Sequence, residues 1–242
     1  MSTPLESIRI LHLYPREMNI YGDWGNILTI KKRLEWSGYA AEIVEHHPDN
    51  VFPNNIDIVI GGGGQDSGQD RVKDDLLTIG ESLHALAEND TPMLVICGLY
   101  QLFGRFFRTA DNKKIPGIEL FKAETHAGPE RLIGNIVTGS AYGELIGYEN
   151  HSGLTLLDDT QPSLGRVLKG KGNNGEDGTE GARYRNVFGS YLHGSLLPKN
   201  PMLADALIEM AITHRFGTVP TSKTIDDTFA EYARETARRR PR

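Results

Sequence analysis

Short apolar runs alternate with longer segments of helical periodicity in the first half of the chain. The apolar runs predict strands at 7–13, 39–45, 56–60 and 93–96. The periodic segments predict helices at 24–36, 71–89 and 99–107, the first capped by Asp23. Because strands and helices alternate, we expect an α/β fold with a mostly parallel central sheet flanked by helices.

The second half has a different pattern, with short apolar runs broken by turn residues. These runs predict antiparallel or mixed strands at 115–124, 131–137, 144–148, 155–157, 166–168 and 184–191. The polar, glycine-rich segment 169–181 is expected to be an exposed loop. Two final helices are predicted at 203–216 and at about 225–238.

Composition and charge exclude several classes. The 242 residues suit one α/β domain with insertions, which we place at 7–217, followed by a C-terminal helix and basic tail at 218–242. A net charge of -6 argues against non-specific nucleic-acid binding. A single cysteine excludes an internal disulfide. Without a signal-peptide layout or a membrane-spanning apolar run, we expect a cytoplasmic protein with no membrane insertion.

Cys97 lies at the turn between the predicted strand 93–96 and helix 99–107, just before Gly98. A helix N-terminus favours a thiolate, and its backbone amides can bind an oxyanion. A buried structural cysteine is the alternative, and this stretch leaves both open.

Two further features are expected at the same sheet edge as Cys97. Four glycines, Gly61 to Gly64, follow the strand at 56–60 and could form an amide-lined cup. His193 follows an apolar run at 187–191. A flexible loop and a structural histidine are the plainer interpretations of these two features.

The motifs together resemble a known family. Cys97-Gly-Leu-Tyr-Gln101 is similar to the nucleophile elbow of class I glutamine amidotransferases, and Tyr191-Leu-His193-Gly to the histidine motif of their CobB/CobQ-like branch. Within that branch, residues 8–217 most resemble the GatD-type subunits of lipid II isoglutaminyl synthases. The segments that carry this likeness are 12–15, 19–26, 62–66, 131–134, 148–153, 172–178 and 193–201.

This resemblance implies a three-layer class I amidotransferase fold and a glutaminase that hydrolyses L-glutamine to glutamate. It further implies a heterodimer in which ammonia passes to a MurT-type, Mur-ligase-like subunit. That partner would handle lipid II and amidate the α-carboxyl of its D-glutamate during peptidoglycan biosynthesis. No cofactor or metal is implied on this chain, since ATP and any metal would be held by the partner.

Roles for individual residues also follow from the resemblance. Cys97 would be the nucleophile, and His193 would stabilise its thiolate as an imidazolium, protonate departing ammonia and activate water. The amides of Gly98 and Gly63 would bind the oxyanion. Many members carry a glutamate two residues after the histidine, where this chain has Ser195. Either a carboxylate from elsewhere orients His193, or the site is a dyad.

Substrate binding is implied for two further residues. Arg131 would bind the α-carboxylate of glutamine, since a guanidinium grips a carboxylate bidentately, and Gln101 belongs to the elbow motif. Three other functions stay open: an amidotransferase serving another ligase, such as a cobyrinate-type one; a non-catalytic binding module of the same fold; and a cysteine hydrolase acting on other amides.

Overall fold

The computed structural model describes residues 6–218 and 225–241. Its strands are β1 (Ser7–Leu13), β2 (Ala40–His46), β3 (Ile58–Gly61), β4 (Met93–Ile96), β5 (Phe106–Arg108), β6 (Lys114–Pro116), β7 (Ala123–Ser140), β8 (Gly143–Leu157), β9 (Gly165–Lys169), β10 (Thr179–Glu180), β11 (Ala182–Tyr184) and β12 (Val187–Ser190). Its helices are α1 (Trp24–Ser37), α2 (Asp66–Thr78), α3 (Gly80–Glu88), α4 (Gly98–Leu102), α5 (Pro201–Phe216) and α6 (Thr228–Arg239), with a 3₁₀ turn at Leu197–Lys199.

The central sheet has the strand order β11-β12-β4-β3-β1-β2. All its pairs are parallel except β11 with β12. Strands β3, β4 and β12 are buried along their whole length, as strands covered on both faces should be. Gly61 pairs with Val95, and Ser190 with Ile96, so the carboxyl ends of these three strands meet at one edge. The expected α/β architecture and the shared edge are both confirmed.

A second sheet carries the antiparallel strands of the second half, in the order β10-β9-β7-β5-β6 with β8 paired to β7. Strands β7 and β8 form one long hairpin, with a register shift between Ala127 and Leu132. The separate strands predicted at 131–137, 144–148 and 155–157 are therefore parts of two long strands. The strand predicted at 115–124 is wrong, because only Lys114–Pro116 pairs there before β7 begins.

Two helix predictions need correction. The helix predicted at 71–89 is two helices that break at Ile79, where Gly80 lies so close to Ile118 that a Cβ would be 3.2 Å from its Cγ2. The helix predicted at 99–107 ends at Leu102. There Gly104 packs against the carbonyl of Ala123, and Phe106–Arg108 joins the second sheet.

Helix α1 begins after Asp23, as predicted, but not for the predicted reason. The Asp23 carboxylate makes no capping hydrogen bond. The amide of Trp24 donates instead to Asn19 Oδ1 at 2.9 Å. Gly38 ends the helix in a left-handed conformation (φ 92°), as a C-terminal glycine commonly does. Asp23 is thereby free for another contact, described below.

Helix α6 begins at Thr228, three residues later than predicted, where Asp226 accepts the Thr228 amide at 3.0 Å. The division at 217/218 stays a prediction, and its tail includes residues 219–224 and 242, which lie outside the described residues. In the described part of the chain, no helix is long and apolar enough to cross a bilayer.

Candidate active site

Cys97 forms a tight turn at the end of β4. Its backbone has φ 50° and ψ −103°, outside the usual regions for a residue with a side chain. The strain is held by neighbouring contacts: the Cys97 amide donates to Ser190 O at 2.8 Å, and the Gln101 amide to Cys97 O at 2.9 Å. Such a turn from a strand into a helix presents a nucleophile above the sheet.

Leu99, a bulky residue two positions after the cysteine, turns away from the cavity. It is fully buried against Gly61, and a Cβ on that glycine would collide with the Leu99 Cδ1. Gly61 thus makes room for Leu99 within the core. The residues that line the cavity beside Cys97 do not include Leu99.

His193 reaches the same place from β12. It follows the strand by three residues and is held by backbone bonds with Tyr148, one from His193 N to Tyr148 O at 2.8 Å. A Cβ built on Gly63 would lie 3.0 Å from both the Cys97 Cβ and the His193 Cε1. Cys97 and His193 are therefore neighbours, as expected from the sequence.

The ring of His193 is buried but has no polar anchor. Its two nitrogens have no hydrogen-bond partner among residues 6–218 and 225–241. The ring of Tyr21 packs on it with 4.4 Å between centroids. Ser195 donates its hydroxyl to Gly22 O at 2.7 Å and so ties the histidine loop to the segment before α1. No carboxylate within the described residues is hydrogen-bonded to the imidazole.

Burial keeps both reactive groups neutral. It raises the pKa of the Cys97 thiol to about 12, and the Asp23 charge adds to this, whereas Arg131 and the Gly98 amide oppose it. Burial likewise lowers the pKa of His193 to about 3, with further lowering from His151 and Arg131. Both pKa shifts run opposite to those of the expected thiolate and imidazolium, because loss of hydration outweighs what a five-residue helix and an unpaired ring can offer.

The Gly63 amide has a different partner from the one expected. It donates to Asp23 Oδ2 at 2.7 Å, and is therefore occupied where an oxyanion donor should be free. The carboxyl of Asp23 is 2% exposed, and burial raises its pKa to about 6 although the Gly63 bond opposes the shift. The expected oxyanion role of Gly63 does not fit this arrangement.

Gly64 offers the better-placed second amide. Its nitrogen lies 3.0 Å from the Cβ position of Gly98, so the glycine run and the elbow touch at this point. Gly64 also lines the cavity together with Cys97. With the Gly63 amide occupied, the amides of Gly98 and Gly64 are the candidates for an oxyanion.

A cavity of about 650 Å³ opens above Cys97, a size suited to a small ligand. Arg131, an exposed residue of β7, lies at its wall and donates to Asn150 Oδ1 at 2.9 Å and Asn150 O at 3.0 Å. The same guanidinium reaches Tyr21 Oη at 3.5 Å. Arg131 is thus oriented over the cavity that contains the candidate nucleophile, where it could bind a carboxylate.

Gln101 also lines the cavity, but within a hydrogen-bond network. Its Oε1 accepts from Gln69 Nε2 at 2.7 Å, and its Nε2 donates to Tyr191 Oη at 3.1 Å. The ring of Tyr191 stacks on His151 at 3.6 Å between centroids. The substrate-binding roles of Gln101, Gly98 and Arg131 stay predictions.

Four residues of the site were not predicted as functional: Tyr21, Asp23, Gln69 and His151. Three of them fall within segments that carry the family resemblance, which is a signal that could have found them. Gln69 has no such signal, because its place behind the elbow depends on how α2 packs against α4. His151 is buried and neutral, since burial lowers its pKa to about 4.

Comparison with known proteins gives consistent results. Residues 9–201 match the family of CobB/CobQ-like glutamine amidotransferase domains. The chain is 41% identical to the GatD subunit of lipid II isoglutaminyl synthase (glutamine-hydrolyzing) of Streptococcus pneumoniae, over 87% of this chain and 82% of that protein. It is 35% identical to the GatD subunit of Staphylococcus aureus, over 92% of this chain and 91% of that protein.

More distant similarities cover less or show the fold alone. A probable cobyric acid synthase of Methanothermobacter thermautotrophicus is 35% identical over only 43% of this chain and 24% of its own length. PurLQS of Thermotoga maritima superposes with a TM-score of 0.57 at 14% identity, over 88% of this chain and 99% of the matched chain. A structure of a glutamine amidotransferase superposes with a TM-score of 0.58 at 15% identity, over 83% of this chain and 98% of the matched chain.

Proposed function

The chain belongs to the CobB/CobQ-like glutamine amidotransferase family, and from this we propose that it is the glutamine-hydrolysing subunit of a lipid II isoglutaminyl synthase. The observation that carries the proposal is the close approach of His193 to Cys97, which itself lines a cavity, in a chain that matches two GatD subunits over more than four fifths of each. As a member of this family, the chain is a glutamine amidohydrolase.

The first half of the reaction forms a thioester. The Cys97 sulfur attacks the side-chain carboxamide carbon of glutamine while neutral His193 takes the thiol proton, because both groups start uncharged. The imidazolium that results gives its proton to the leaving nitrogen, the C–N bond breaks and ammonia departs. His193 is then neutral again.

Hydrolysis completes the cycle. Neutral His193 accepts a proton from water as the water attacks the thioester carbon, and the proton then passes to the departing thiolate. The products are glutamate and ammonia, and one water is consumed. In both halves the amides of Gly98 and Gly64 stabilise the tetrahedral oxyanion, and removal of one such donor typically costs about 10²–10³ in kcat. Arg131 holds the α-carboxylate of glutamine.

Ammonia released here is used by a partner. The two GatD relatives are named as subunits, which supports a ligase partner for this chain as well. We propose that the partner is a MurT-type, Mur-ligase-like protein of the cytoplasm. It would bind ATP and any metal, activate the α-carboxyl of D-glutamate in lipid II, and amidate it with the ammonia that is released from glutamine at Cys97. This chain would need no cofactor of its own.

The direct test measures ammonia from L-glutamine, with the chain alone and co-purified with a MurT-type ligase. Wild type should release ammonia in at least one preparation, and Cys97→Ala in neither while still binding the partner. The glutamine-shaped electrophile 6-diazo-5-oxo-norleucine should label Cys97. The absence of ammonia in both preparations, with Cys97 confirmed reduced, would favour a binding module.

The same preparations separate the remaining alternatives. Glutamine-dependent amidation of lipid II by the co-purified ligase, lost in Cys97→Ala, supports the assignment. Amidation of cobyrinate in its place would assign the chain to the other ligase class. Turnover of other amides, with no labelling by the glutamine analogue, would indicate a general cysteine hydrolase.

A further inference from the structure

Gln69 lies directly behind the nucleophile elbow, although it belongs to α2. Its side chain is 1% exposed and borders the cavity that contains Cys97. A single nitrogen, Nε2, donates to Gly98 O at 3.1 Å and to Gln101 Oε1 at 2.7 Å. Gln69 therefore links Gly98 and Gln101, two elbow residues that belong to α4.

The direction of these hydrogen bonds is fixed at one end. A backbone carbonyl accepts and never donates, so the atom of Gln69 that faces Gly98 O must be its NH2 group. That NH2 also faces Gln101, which must turn its oxygen toward it. The NH2 of Gln101 then faces Tyr191 Oη, to which it donates at 3.1 Å.

The other end of the network adapts to this direction. Tyr191 Oη bonds Thr155 Oγ1 at 2.7 Å, and Thr155 Oγ1 bonds Thr125 Oγ1 at 2.8 Å. Each hydroxyl can both donate and accept, so none of them sets the orientation of Gln101. The orientation of Gln101 is instead set by the carbonyl of Gly98, which acts through Gln69.

The orientation matters because Gln101 borders the cavity. Its NH2 group has two N–H bonds, and Tyr191 is its single partner within the described residues. Gly153 leaves room for this group, since a Cβ at that position would collide with Gln101 Nε2. One N–H therefore stays available for an acceptor that enters the cavity.

We propose that Gln69 is a positioning residue that makes Gln101 present an N–H donor, and not its oxygen, to an oxygen of bound glutamine. The inference rests on the proposed glutaminase function and deepens it. Glutamine has two kinds of acceptor oxygen, the α-carboxylate and the side-chain carboxamide oxygen. Either would be repelled by a Gln101 side chain turned the other way.

Two substitutions of Gln69 test the orientation separately from packing. Gln69→Met keeps the approximate size but removes the donor, so Gln101 can take either orientation. Gln69→Glu is nearly isosteric, and its carboxylate accepts only, so it draws the Gln101 NH2 away from the cavity. We expect KM for glutamine to rise about threefold in Gln69→Met and about tenfold or more in Gln69→Glu, with smaller changes in kcat.

A double-substitution cycle identifies the residue through which Gln69 acts. In a Gln101→Leu background there is no NH2 left to orient, so Gln69→Glu should change KM less than twofold. The Gln69→Glu defect should also grow as pH rises, because the protonated acid can still donate one bond. Equal KM values for the two Gln69 variants, or a tenfold effect that persists with Gln101→Leu, would overturn the proposal.

A second variant keeps the test valid if Gln69→Glu does not fold. Gln101→Glu preserves the bond from Gln69 and replaces the NH2 by an acceptor, so KM should rise about tenfold; a KM within twofold of wild type would refute the inference. 4-Aminobutanamide, which is glutamine without its α-carboxylate, identifies the oxygen: the Gln69→Glu penalty vanishes with this analogue if the carboxylate is the acceptor, and persists if the side-chain carboxamide is. Wild-type turnover tests the proposed function independently.

Discussion

The Cys97 Cβ and the His193 Cε1 each lie 3.0 Å from one point, the Cβ position of Gly63, and are therefore within about 6 Å of each other. The two residues are far apart in the chain and reach this point from neighbouring parallel strands, β4 and β12. Gly63 lies two residues after the third strand of the group, β3, and fills the space between them with backbone alone. The absence of a side chain at this position is what allows the two reactive residues to approach.

Gly63→Ala should therefore impair catalysis more than folding. The added methyl would lie closer to both Cys97 and His193 than ordinary van der Waals contact allows, and would move them apart. Misplacement of reacting groups by about 1 Å can cost roughly 10²-fold in rate. We expect kcat for glutamine hydrolysis to fall at least tenfold, measured by ammonia release at saturating glutamine.

Gly139→Ala is the matched control for that substitution. Gly139 lies in β7, and a Cβ there would meet Leu168 at 3.5 Å or more, an ordinary contact. Its kcat should stay within twofold of wild type. If Gly63→Ala retains full activity at an unchanged melting temperature, the close approach has no catalytic consequence.

Cys97 should react with a small alkylating agent at the rate, and with the pH dependence, of a neutral thiol. Burial raises the thiol pKa to about 12 and lowers that of His193 to about 3, so no ion pair forms between them near neutral pH. The rate of iodoacetamide modification without glutamine should be slow and should still be rising at pH 9, because the thiolate is the nucleophile. Mass spectrometry of the alkylated chain measures this rate.

An ion pair would give a different profile, with a rate that levels off below pH 8. Such a plateau, lost in His193→Ala, would contradict the neutral ground state. Under the proposed mechanism, His193→Ala should leave alkylation of the free enzyme within about twofold while abolishing ammonia release, since the imidazole acts only once glutamine is attacked.

The sequence predicted what depends on local pattern. The apolar runs matched the bounds of β1 and β4 and located β3 to within two residues, while alternation with helices predicted a parallel sheet. Because parallel strands place their carboxyl ends at one edge, the meeting of Cys97 and His193 followed. The short α4 and the strand β5 were missed because Phe106 and Phe107 fit a helical period as well as a strand, and contact with β7 decided between them.

Features that depend on three-dimensional packing could not be predicted from the sequence pattern. Nothing in the order of residues shows that Asp23 turns from its helix to the Gly63 amide, or that Gln69 lies behind Gln101. The neutral state of Cys97 was missed for the same reason, since desolvation depends on the complete fold. Motifs identified which residues are special, whereas the hydrogen-bond partner of each came only from the structure.

Arg131→Ala should weaken glutamine binding with less effect on the chemical step. The guanidinium borders the cavity and is held by Asn150, which suits an α-carboxylate bound equally in the ground and transition states. We expect KM to rise at least tenfold and kcat to change less than threefold. Arg108→Ala, an arginine that does not line the cavity, is the control. A fall in kcat with unchanged KM would contradict this role.

The buried carboxyl of Asp23 should make stability depend on pH. Burial raises its pKa to about 6, above the value of about 4 expected in the unfolded chain, so the folded state holds the proton more tightly. The resulting stabilisation is complete below pH 4 and is lost as pH rises through 6. It amounts to about 2–3 kcal/mol at most.

Asp23→Asn removes this dependence because its oxygen still accepts the Gly63 amide and its side chain stays neutral. The melting temperature of the variant relative to wild type should therefore increase between pH 4 and pH 8, as scanning fluorimetry can measure. Asp70→Asn is a control of opposite sign: Lys113 and Lys73 lower the pKa of that exposed carboxyl to about 2, so its loss should destabilise at pH 7 and less so as pH falls toward 2. A pH-independent difference for Asp23→Asn would contradict the raised pKa, because it would mean that the carboxyl has the same pKa in the folded and the unfolded chain.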